Sequence, residues 1–329
     1  MTTIREIARK SGYSPATVSR LLNNDPTFSI TPEAREKILK TARKLGYHNP
    51  YSTNTNYHIG VIFSVTPQQE IEDTYFNDLR HSLISASQQN NFDLDFFNNI
   101  NEINSFDGIF AIGNFSKEEL NFIKKSNMKC VFVDSNPNPC NFTSVQPNLQ
   151  NIIKTAIDIF LENNLQKIGY VGGTSWNSPK KDIRELSFEN YLSQLDLLNI
   201  DYIFIGNSFK VEEGYHLGKR IAAYFIEKNF PEALIIGSDS LAIGVLQAFE
   251  EHHINVPNDI KIVSINDINI AQYTSPSLTS FHIDLNELGK IATDTLLEML
   301  INDQFSNRQI LLNATPIFRD SFYPQKNRL

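Results

Sequence analysis

Three helical patterns fill the first fifty residues of the chain. Apolar residues recur at helical spacing after Thr3, Ser14 and Thr31, and each of these residues can cap a helix with its hydroxyl oxygen. The first pattern has the form of a capping box, Thr3 to Glu6, and stops near Gly12, a residue suited to the turn after a helix. The spacing predicts three short helices with a tight turn between the first two, which is a helix-turn-helix.

Apolar, strand-like runs alternate with helical stretches from Ile59 onward. The predicted strands cover residues 59–63, 92–97, 108–112, 130–133, 168–173, 202–205, 233–237 and 260–265, and the predicted helices include 75–89 and 149–162. This alternation is typical of a parallel sheet covered by helices, and its two successive sets predict two doubly wound subdomains. Ligands of such sheets bind at the carboxyl ends of the strands.

A polar, turn-rich stretch at residues 47–58 separates these two regions. It lacks helical periodicity, which is typical of a linker. We therefore predict two domains. Residues 1–57 form an all-α helix-turn-helix head with a short linker, and residues 58–329 form an α/β body of two interleaved, doubly wound parallel-sheet subdomains that also carries the dimer contacts.

Charge is divided unevenly between the two predicted domains. Residues 1–50 carry nine Lys and Arg against four Asp and Glu, a net charge of +5, which leaves −13 for the rest of a chain whose total is −8. A basic head on an acidic body directs attraction for phosphate to the head. The distribution of charge therefore favours nucleic-acid binding although the total does not.

The cysteines and the apolar runs exclude several other classes. Cys130 and Cys140 match no zinc pattern, and we expect both to be reduced thiols. No apolar run reaches the length of about 18 residues that a membrane span needs, and the N-terminus reads as a capping box rather than a leader. We expect a cytoplasmic protein with no membrane association, no metal and no cofactor.

The second predicted helix carries the candidate DNA contacts. Pro15 and Ala16 open its exposed face, and Arg20 lies one turn further on, where a guanidinium can donate two bonds to a guanine. Short hydroxyls suited to phosphate oxygens are those of Ser14, Thr17 and Ser19. The alternative is that Arg20 is a solvated surface charge and that the hydroxyls only cap the helix.

Hydroxyl, amide and carboxylate side chains stand directly after predicted strands of the body. They are Ser64, Asp134, Ser238, Asp239 and Asn266. Such groups converging on one cleft suit a polyhydroxylated ligand, since each sugar hydroxyl both donates and accepts hydrogen bonds. For each residue taken singly, the alternative is a cap on the following helix.

Residues 3–8, 11–14, 16–23, 31–38 and 45–47 of the head form one dense pattern with unbroken spacing. In this pattern the head resembles the DNA-binding domain of the LacI/GalR family of bacterial repressors. The resemblance implies that Pro15, Ala16 and Arg20 contact base edges and that Ser14, Thr17, Ser19 and Asn24 contact the DNA backbone. The linker is shorter than the family's common pattern and lacks its Ala and Leu, so a hinge helix wedged into the minor groove is not implied.

The body resembles the family's periplasmic-binding-protein-like effector domain. Residues 172–173, 182–184, 238–244, 256–260, 275–279 and 319–321 carry this resemblance. It implies effector contacts from Ser64, Asp134, Arg184, Phe209, Ser238, Asp239 and Asn266, with Tyr75 and Phe76 at the mouth of the cleft. Phe209 can equally be a core residue. The motifs are most similar to repressors of galactose and β-galactosidase operons, which implies a homodimer on double-stranded operator DNA that is released by galactose or a galactoside.

Three rival functions could use the same body. An enzyme is disfavoured because Gly172-Gly173 does not continue as a phosphate-binding loop and no nucleophile elbow occurs. A transport receptor fits the body alone but not the helix-turn-helix. The alternative that stays open is a regulator whose DNA binding is enhanced by a corepressor, either a nucleobase or a phosphoprotein.

Overall fold

The structure is a computed structural model of the chain. It describes residues 3–22, 28, 30–45, 56–64, 73–97, 100–174, 181–226, 230–302 and 305–325. The predicted DNA contact Asn24 and most of the predicted linker lie outside these residues. The chain divides into two units, residues 1–57 with 91–93, and the remainder.

The head contains three helices: α1 (Ile4–Ser11), α2 (Pro15–Leu22) and α3 (Pro32–Lys44). Its core is a cluster in which Ile7, Val18 and Ile38, one from each helix, are fully buried. Gly12 ends α1 with φ of 81°, a left-handed conformation that glycine adopts without steric cost, and its N–H donates to the Ala8 carbonyl. The predicted helix-turn-helix is confirmed.

The remaining elements follow in chain order as β1 (Tyr57–Ser64), α4 (Thr74–Gln89), β2 (Phe92–Phe97), β3 (Gly108–Gly113), α5 (Lys117–Ser126), β4 (Lys129–Val133), β5 (Thr143–Pro147), α6 (Leu149–Glu162), β6 (Ile168–Gly173), α7 (Ile183–Gln194), β7 (Ile203–Gly206), α8 (Val211–Ile226), β8 (Ala233–Ile236), α9 (Asp239–Glu251), β9 (Lys261–Asn266), β10 (Thr279–His282), α10 (Leu285–Ile301), β11 (Gln309–Leu312) and β12 (Thr315–Ile317). Short 3-10 turns cover Ile100–Ser105, Ile200–Tyr202 and Asn269–Tyr273.

Two sheets organise the body. The first has the order β11-β5-β4-β3-β1-β2 and the second the order β12-β10-β9-β8-β6-β7. Adjacent strands pair in parallel at β1–β3, β3–β4, β4–β5, β6–β7, β6–β8, β8–β9 and β9–β10, whereas β10 and β12 run antiparallel. The prediction of two doubly wound, mainly parallel subdomains is confirmed. We call the parts built on these sheets the first and the second subdomain.

The chain passes between the two sheets after β5, after β10 and after β11. Helix α10 follows β10 but packs on α4 and β4 of the first subdomain. These passages join the subdomains through short segments, so the carboxyl ends of both sheets face a shared cleft. The strands β5 and β10–β12 were not predicted, because each has only three to five residues and all except β11 contain few apolar ones.

Close helix packing in the second subdomain depends on glycine. A Cβ added to Gly244 in α9 would lie 2.0 Å from the Val211 carbonyl oxygen, and one added to Gly214 in α8 would lie 2.1 Å from the Leu241 oxygen. Both distances are far shorter than a van der Waals contact. Helices α8 and α9 can therefore approach this closely only with glycine at both positions.

Candidate functional site

The exposed face of α2 is the candidate DNA interface. Pro15, Ala16 and Arg20 are exposed, whereas Val18 and Leu21 on the other face are buried in the head's core. This is the division that a helix needs when one face packs and the other enters a groove.

Ser14 caps the start of α2. Its Oγ accepts a hydrogen bond from the Thr17 N–H at 3.0 Å and lies 2.8 Å from the Thr17 Oγ1. The predicted alternative, a capping role, is therefore present in the structure for Ser14. Because Ser14 is also exposed, a phosphate contact is compatible with the cap, and it stays a prediction.

The guanidinium of Arg20 lies over the ring of Phe28, with 5.0 Å from Cζ to the ring centroid. Phe28 in turn packs against the buried core of the head. A ring held by the core limits the directions in which the guanidinium can point. Sequence reasoning missed Phe28, which belongs to no helical pattern.

On the body side, the buried Tyr75 and the half-buried Asp134 form a pair at the carboxyl ends of the first sheet. Asp134 follows β4 directly, and the Tyr75 hydroxyl donates to its Oδ1 at 2.5 Å. Phe76 packs edge-on against Tyr75, with ring centroids 5.5 Å apart. Tyr75 also belongs to a buried cluster with Ile268 and Ile283 of the second subdomain. The pair therefore stands where the two subdomains meet.

Arg184 and Asp182 form the corresponding pair on the second subdomain. Asp182 caps α7, and its Oδ1 accepts bonds from the Arg184 backbone N–H at 2.9 Å and from Nε at 2.7 Å. Its Oδ2 accepts from Nη2 at 3.0 Å. Arg184 Nη1 donates to the Gly237 carbonyl at 2.7 Å, and the guanidinium Cζ lies 4.1 Å from the Phe209 ring centroid. Phe209 thus supports Arg184 from one face.

Burial and these charges shift the pKa of each group. Burial raises the pKa of Asp134 to about 6, although the Tyr75 hydrogen bond and the charge of Arg184 act to lower it. Burial also raises the pKa of Tyr75 and that of Asp73, the residue that caps α4. For Asp182, burial acts upward, but the charge and hydrogen bonds of Arg184 outweigh it and lower the pKa. One guanidinium therefore lies among three carboxyl groups.

Asp239 is fully buried below this cleft. Its carboxylate accepts bonds from the hydroxyls of Ser264 and Ser280 and, at 2.8 Å, from the Ile268 N–H. Ser238 caps α9 by accepting from the Leu241 N–H at 3.3 Å. Asp239 thus anchors the loop after β9, and its predicted contact with an effector stays a prediction.

Asn266 and Ser64 stand at the ends of β9 and β1. Asn266 lines a cavity of about 440 Å³ together with Tyr75 and residues of α4 and α10. Its neighbour Asp267 pairs with Arg319 at 2.7 Å. Ser64 is exposed, and its hydroxyl donates to the Asn114 carbonyl at 2.8 Å. Ser64 and Asn266 thus lie at the ends of strands, as the apolar runs in the sequence predicted.

Two matches to protein families cover most of the described chain. Residues 3–49 match the family described as bacterial regulatory proteins, lacI family, and residues 157–322 match a periplasmic binding protein-like domain. The chain is 39% identical to the HTH-type transcriptional regulator LacR of Lactobacillus helveticus, over 99% of this chain and 100% of the relative. It is 37% identical to the HTH-type transcriptional regulator GanR of Bacillus subtilis (strain 168), over 98% of this chain and 99% of that relative.

The chain belongs to the LacI family of transcriptional regulators.

Solved structures agree on the fold of this LacI-family protein. The Lac repressor bound to ONPG in the repressed state superposes with a TM-score of 0.71 at 18% identity, covering 98% of this chain and 99% of that one. A transcriptional regulator CelR–cellobiose complex superposes with a TM-score of 0.70 at 15% identity, covering 98% and 100%. The predicted recognition and fold class are confirmed, and family membership makes the protein a DNA-binding regulator rather than an enzyme.

Several residues of the cleft were not chosen from the sequence. Asp73, Asp182 and Gly237 all contact or surround Arg184 or Tyr75 in this LacI-family chain. Asp182 had a readable signal, since an Asp before a helical pattern is a cap candidate. Asp73 had the same signal, since it also stands just before a predicted helix. Gly237 had none, because its role depends on a carbonyl facing a residue far away in sequence.

Two features are absent from the part of the chain that the structure describes. No helix there is long and apolar enough to cross a membrane. Within the same residues, no group of three or more His, Cys, Asp or Glu side chains is arranged to hold a metal ion.

Proposed function

We propose that this LacI-family protein represses a sugar-utilisation operon and is released from its operator by a neutral sugar, galactose or a β-galactoside. The observation that carries the proposal is the juxtaposition of the Tyr75–Asp134 pair and the Asp182–Arg184 pair across one cleft. The names of the relatives LacR, GanR and GalR support the sugar class.

The chemistry of the cleft suits the hydroxyls of a sugar. The carboxylates of Asp134 and Asp182 accept hydrogen bonds. Arg184 donates two hydrogen bonds to the Asp182 carboxylate and one to the Gly237 carbonyl. A guanidinium has five N–H groups, so two of them remain for a ligand. Phe209 lies under the Arg184 guanidinium and packs against the core of the second subdomain, and we propose it as an apolar contact of the sugar. We propose Ser64, Phe76, Ser238 and Asn266 as further contacts, and Asp239 as a contact or as the support of the loop that carries Asn266.

The balance of charge selects a neutral ligand. Asp73, Asp134 and Asp182 surround the single guanidinium of Arg184, so the cleft is acidic when the carboxyl groups are ionised. A phosphorylated sugar would bring two further negative charges into a buried site, which is costly without matching cations. Galactose or a galactoside therefore fits better than galactose 6-phosphate.

The head supplies the other half of the function. We propose that a homodimer places its two α2 helices in successive major grooves of a near-palindromic operator in the cytoplasm. Pro15, Ala16 and Arg20 would contact bases, and Ser14, Thr17, Ser19 and Asn24 would contact the backbone. Sugar binding across the cleft changes how the subdomains meet, and it weakens simultaneous engagement of both half-sites. The sugar can act only through its different affinity for the two arrangements.

The test measures the dissociation constant of the full chain for its preferred duplex, selected from a random library, at one fixed salt concentration. Galactose, methyl β-galactoside, glucose and galactose 6-phosphate are added in separate titrations. We expect a galactoside to weaken DNA binding by at least about fivefold, the lower end of typical coupling between sites. Tighter binding with the sugar would replace the inducer by a corepressor, and a response to galactose 6-phosphate alone would overturn the neutral ligand.

A further inference from the structure

Tyr170 on β6 has a buried hydroxyl that reaches the carboxyl end of the second sheet. Its ring is fully buried and lies 5.4 Å, centroid to centroid, from the ring of Phe188. The side chain extends along its own strand over Gly172, where an added Cβ would lie 2.5 Å from the Tyr170 Cε1. An added Cβ at Gly237 would lie 3.0 Å from the hydroxyl oxygen. Glycine at both positions leaves the room that the phenol occupies.

No hydrogen-bond partner for this hydroxyl exists among the described residues. A buried polar group without a partner costs about 1–3 kcal/mol, and most buried hydroxyls in proteins are paired. Burial raises the pKa of Tyr170, so the phenol keeps its proton and can donate it in a hydrogen bond. A phenylalanine would fill the same space without this cost. The hydroxyl is therefore a candidate for a role that the folded chain alone does not fulfil.

The position of the hydroxyl connects it to the proposed sugar site. It lies beside Gly237, the residue whose carbonyl accepts from Arg184 at 2.7 Å. The space above Gly237 is also bordered by Phe209, 3.1 Å from the same added Cβ. The charges of Arg184 and Asp182 both act on Tyr170. The phenol thus lies next to residues that we propose to hold the sugar.

We propose that the Tyr170 hydroxyl donates a hydrogen bond to one hydroxyl of the bound sugar, and that it thereby determines which sugar is accepted. This inference rests on the proposed function. Contact requires the side chains near Gly237, among them Arg184 and Phe209, to shift when the sugar enters, because the hydroxyl is buried in the present conformation. Recognition of one hydroxyl at a buried donor discriminates against sugars that lack it, since the donor is then left without a partner again.

The first measurement is the stability of the full chain with Tyr170→Phe. Because the hydroxyl has no partner to lose, the melting temperature should stay equal to that of the wild type or rise. The matched control is Tyr191→Phe on α7. The Tyr191 hydroxyl donates a hydrogen bond of 2.5 Å to Asp158, which is not one of the proposed sugar contacts. This control should leave sugar binding unchanged. A clear loss of stability in Tyr170→Phe would mean that the hydroxyl has a structural partner, and it would overturn the inference.

The second measurement is calorimetric affinity for galactose and for its 2-, 3-, 4- and 6-deoxy analogues, in wild type and in both variants. We expect Tyr170→Phe to weaken galactose about tenfold and to leave the affinity for one deoxy analogue unchanged. Discrimination at that one position is then lost. Equal affinities of variant and wild type, or an equal fall for every analogue, would overturn the role of Tyr170. A wild type that binds none of the sugars would instead overturn the proposed function, so the two failures are distinguishable.

Discussion

The pair of Arg184 and Asp182 allows a quantitative test of how the cleft is held together. Arg184→Met removes the guanidinium and leaves the Asp182 carboxylate among buried groups. The two side chains are only 14% and 13% exposed, and Nε lies 2.7 Å from Oδ1. Their mutual attraction is therefore weakly screened by solvent, unlike that of a surface pair.

The magnitude follows from this geometry. Unit charges about 4 Å apart attract by about 4 kcal/mol at an effective dielectric constant of about 20. Breaking a buried pair from one side costs about 3–5 kcal/mol, so we expect this loss in the free energy of unfolding for Arg184→Met. Asp182→Asn should cost less, because Asn still caps α7 and the carboxyl groups of Asp73 and Asp134 still face the guanidinium. The double variant should lose at least about 2 kcal/mol less than the sum of the single losses.

The assay is urea unfolding of the full chain at pH 7, followed by circular dichroism, for the wild type, both single variants and the double variant. Lys181→Met is a control for an ion pair that is exposed on one side only. The carboxylate that Lys181→Met leaves without its partner is not solvated, because Glu185 is buried. A second control is therefore Lys290→Met, whose partner Asp294 lies 3.4 Å away with exposures of 64% and 49%, so that its loss should stay below about 1 kcal/mol.

The pH dependence provides the refuting result. The folded-state pKa of Asp182 is lowered, so the stability it contributes is present above its ordinary pKa and is lost as the pH falls. In Arg184→Met the carboxyl group of Asp182 can take up a proton instead of staying charged without a partner. The loss in free energy of unfolding relative to the wild type should therefore become smaller as the pH is lowered from 7 to 4.5. Additive single losses, or a deficit that is independent of pH, would refute the reasoning.

Three further predictions, the first with two variants, concern other parts of the molecule. Arg20→Ala should cost about 1–3 kcal/mol on the selected operator and relax preference at one base pair, and Phe28→Leu should relax the same base pair more weakly, as measured on a panel of single-base operator variants. Because burial raises the pKa of Asp134 to about 6, the affinity for galactose should fall about tenfold from pH 7 to pH 5 as this acceptor is protonated, measured by calorimetry. Gly244→Ala places a Cβ 2.0 Å from the Val211 carbonyl oxygen and should lower the free energy of unfolding by about 1–3 kcal/mol in urea.

Each of these changes has an outcome that contradicts it. An equal loss on every duplex would mean that Arg20 contacts only phosphate. Asp134→Asn should flatten the pH profile of sugar affinity, and a profile that survives this substitution would assign the titration elsewhere. The folded-state pKa of Asp134 lies above its ordinary 3.8, so the free energy of unfolding should fall as the pH rises through about 6. This is the opposite of the sugar affinity, which should rise over the same range. An unchanged unfolding midpoint for Gly244→Ala would mean that α8 and α9 separate at no cost.

Local patterns in the sequence determined the helices of the head and most strands of the body. Thr3, Ser14 and Gly12 cap or end helices through atoms within a few residues, so the chain encodes those boundaries locally. Buried parallel strands such as β4 and β6 are continuous apolar runs, which are legible because both faces of the sheet are covered. The same positions, read at the strand ends, indicated where a ligand site would lie.

Tertiary structure alone decided which side chains face each other across the cleft. Asp239 and Asp134 both follow strands, yet one is tied to Ser264 and Ser280 beneath the surface and the other pairs with Tyr75. Arg184 meets Asp182 locally, but its contacts with Gly237 and Phe209 join segments that are distant in the chain. The strands β10–β12 and the contacts of Phe28 and Tyr170 likewise come from distant or irregular segments. Contacts of this kind depend on how separate segments pack, and no periodicity of one segment carries that information.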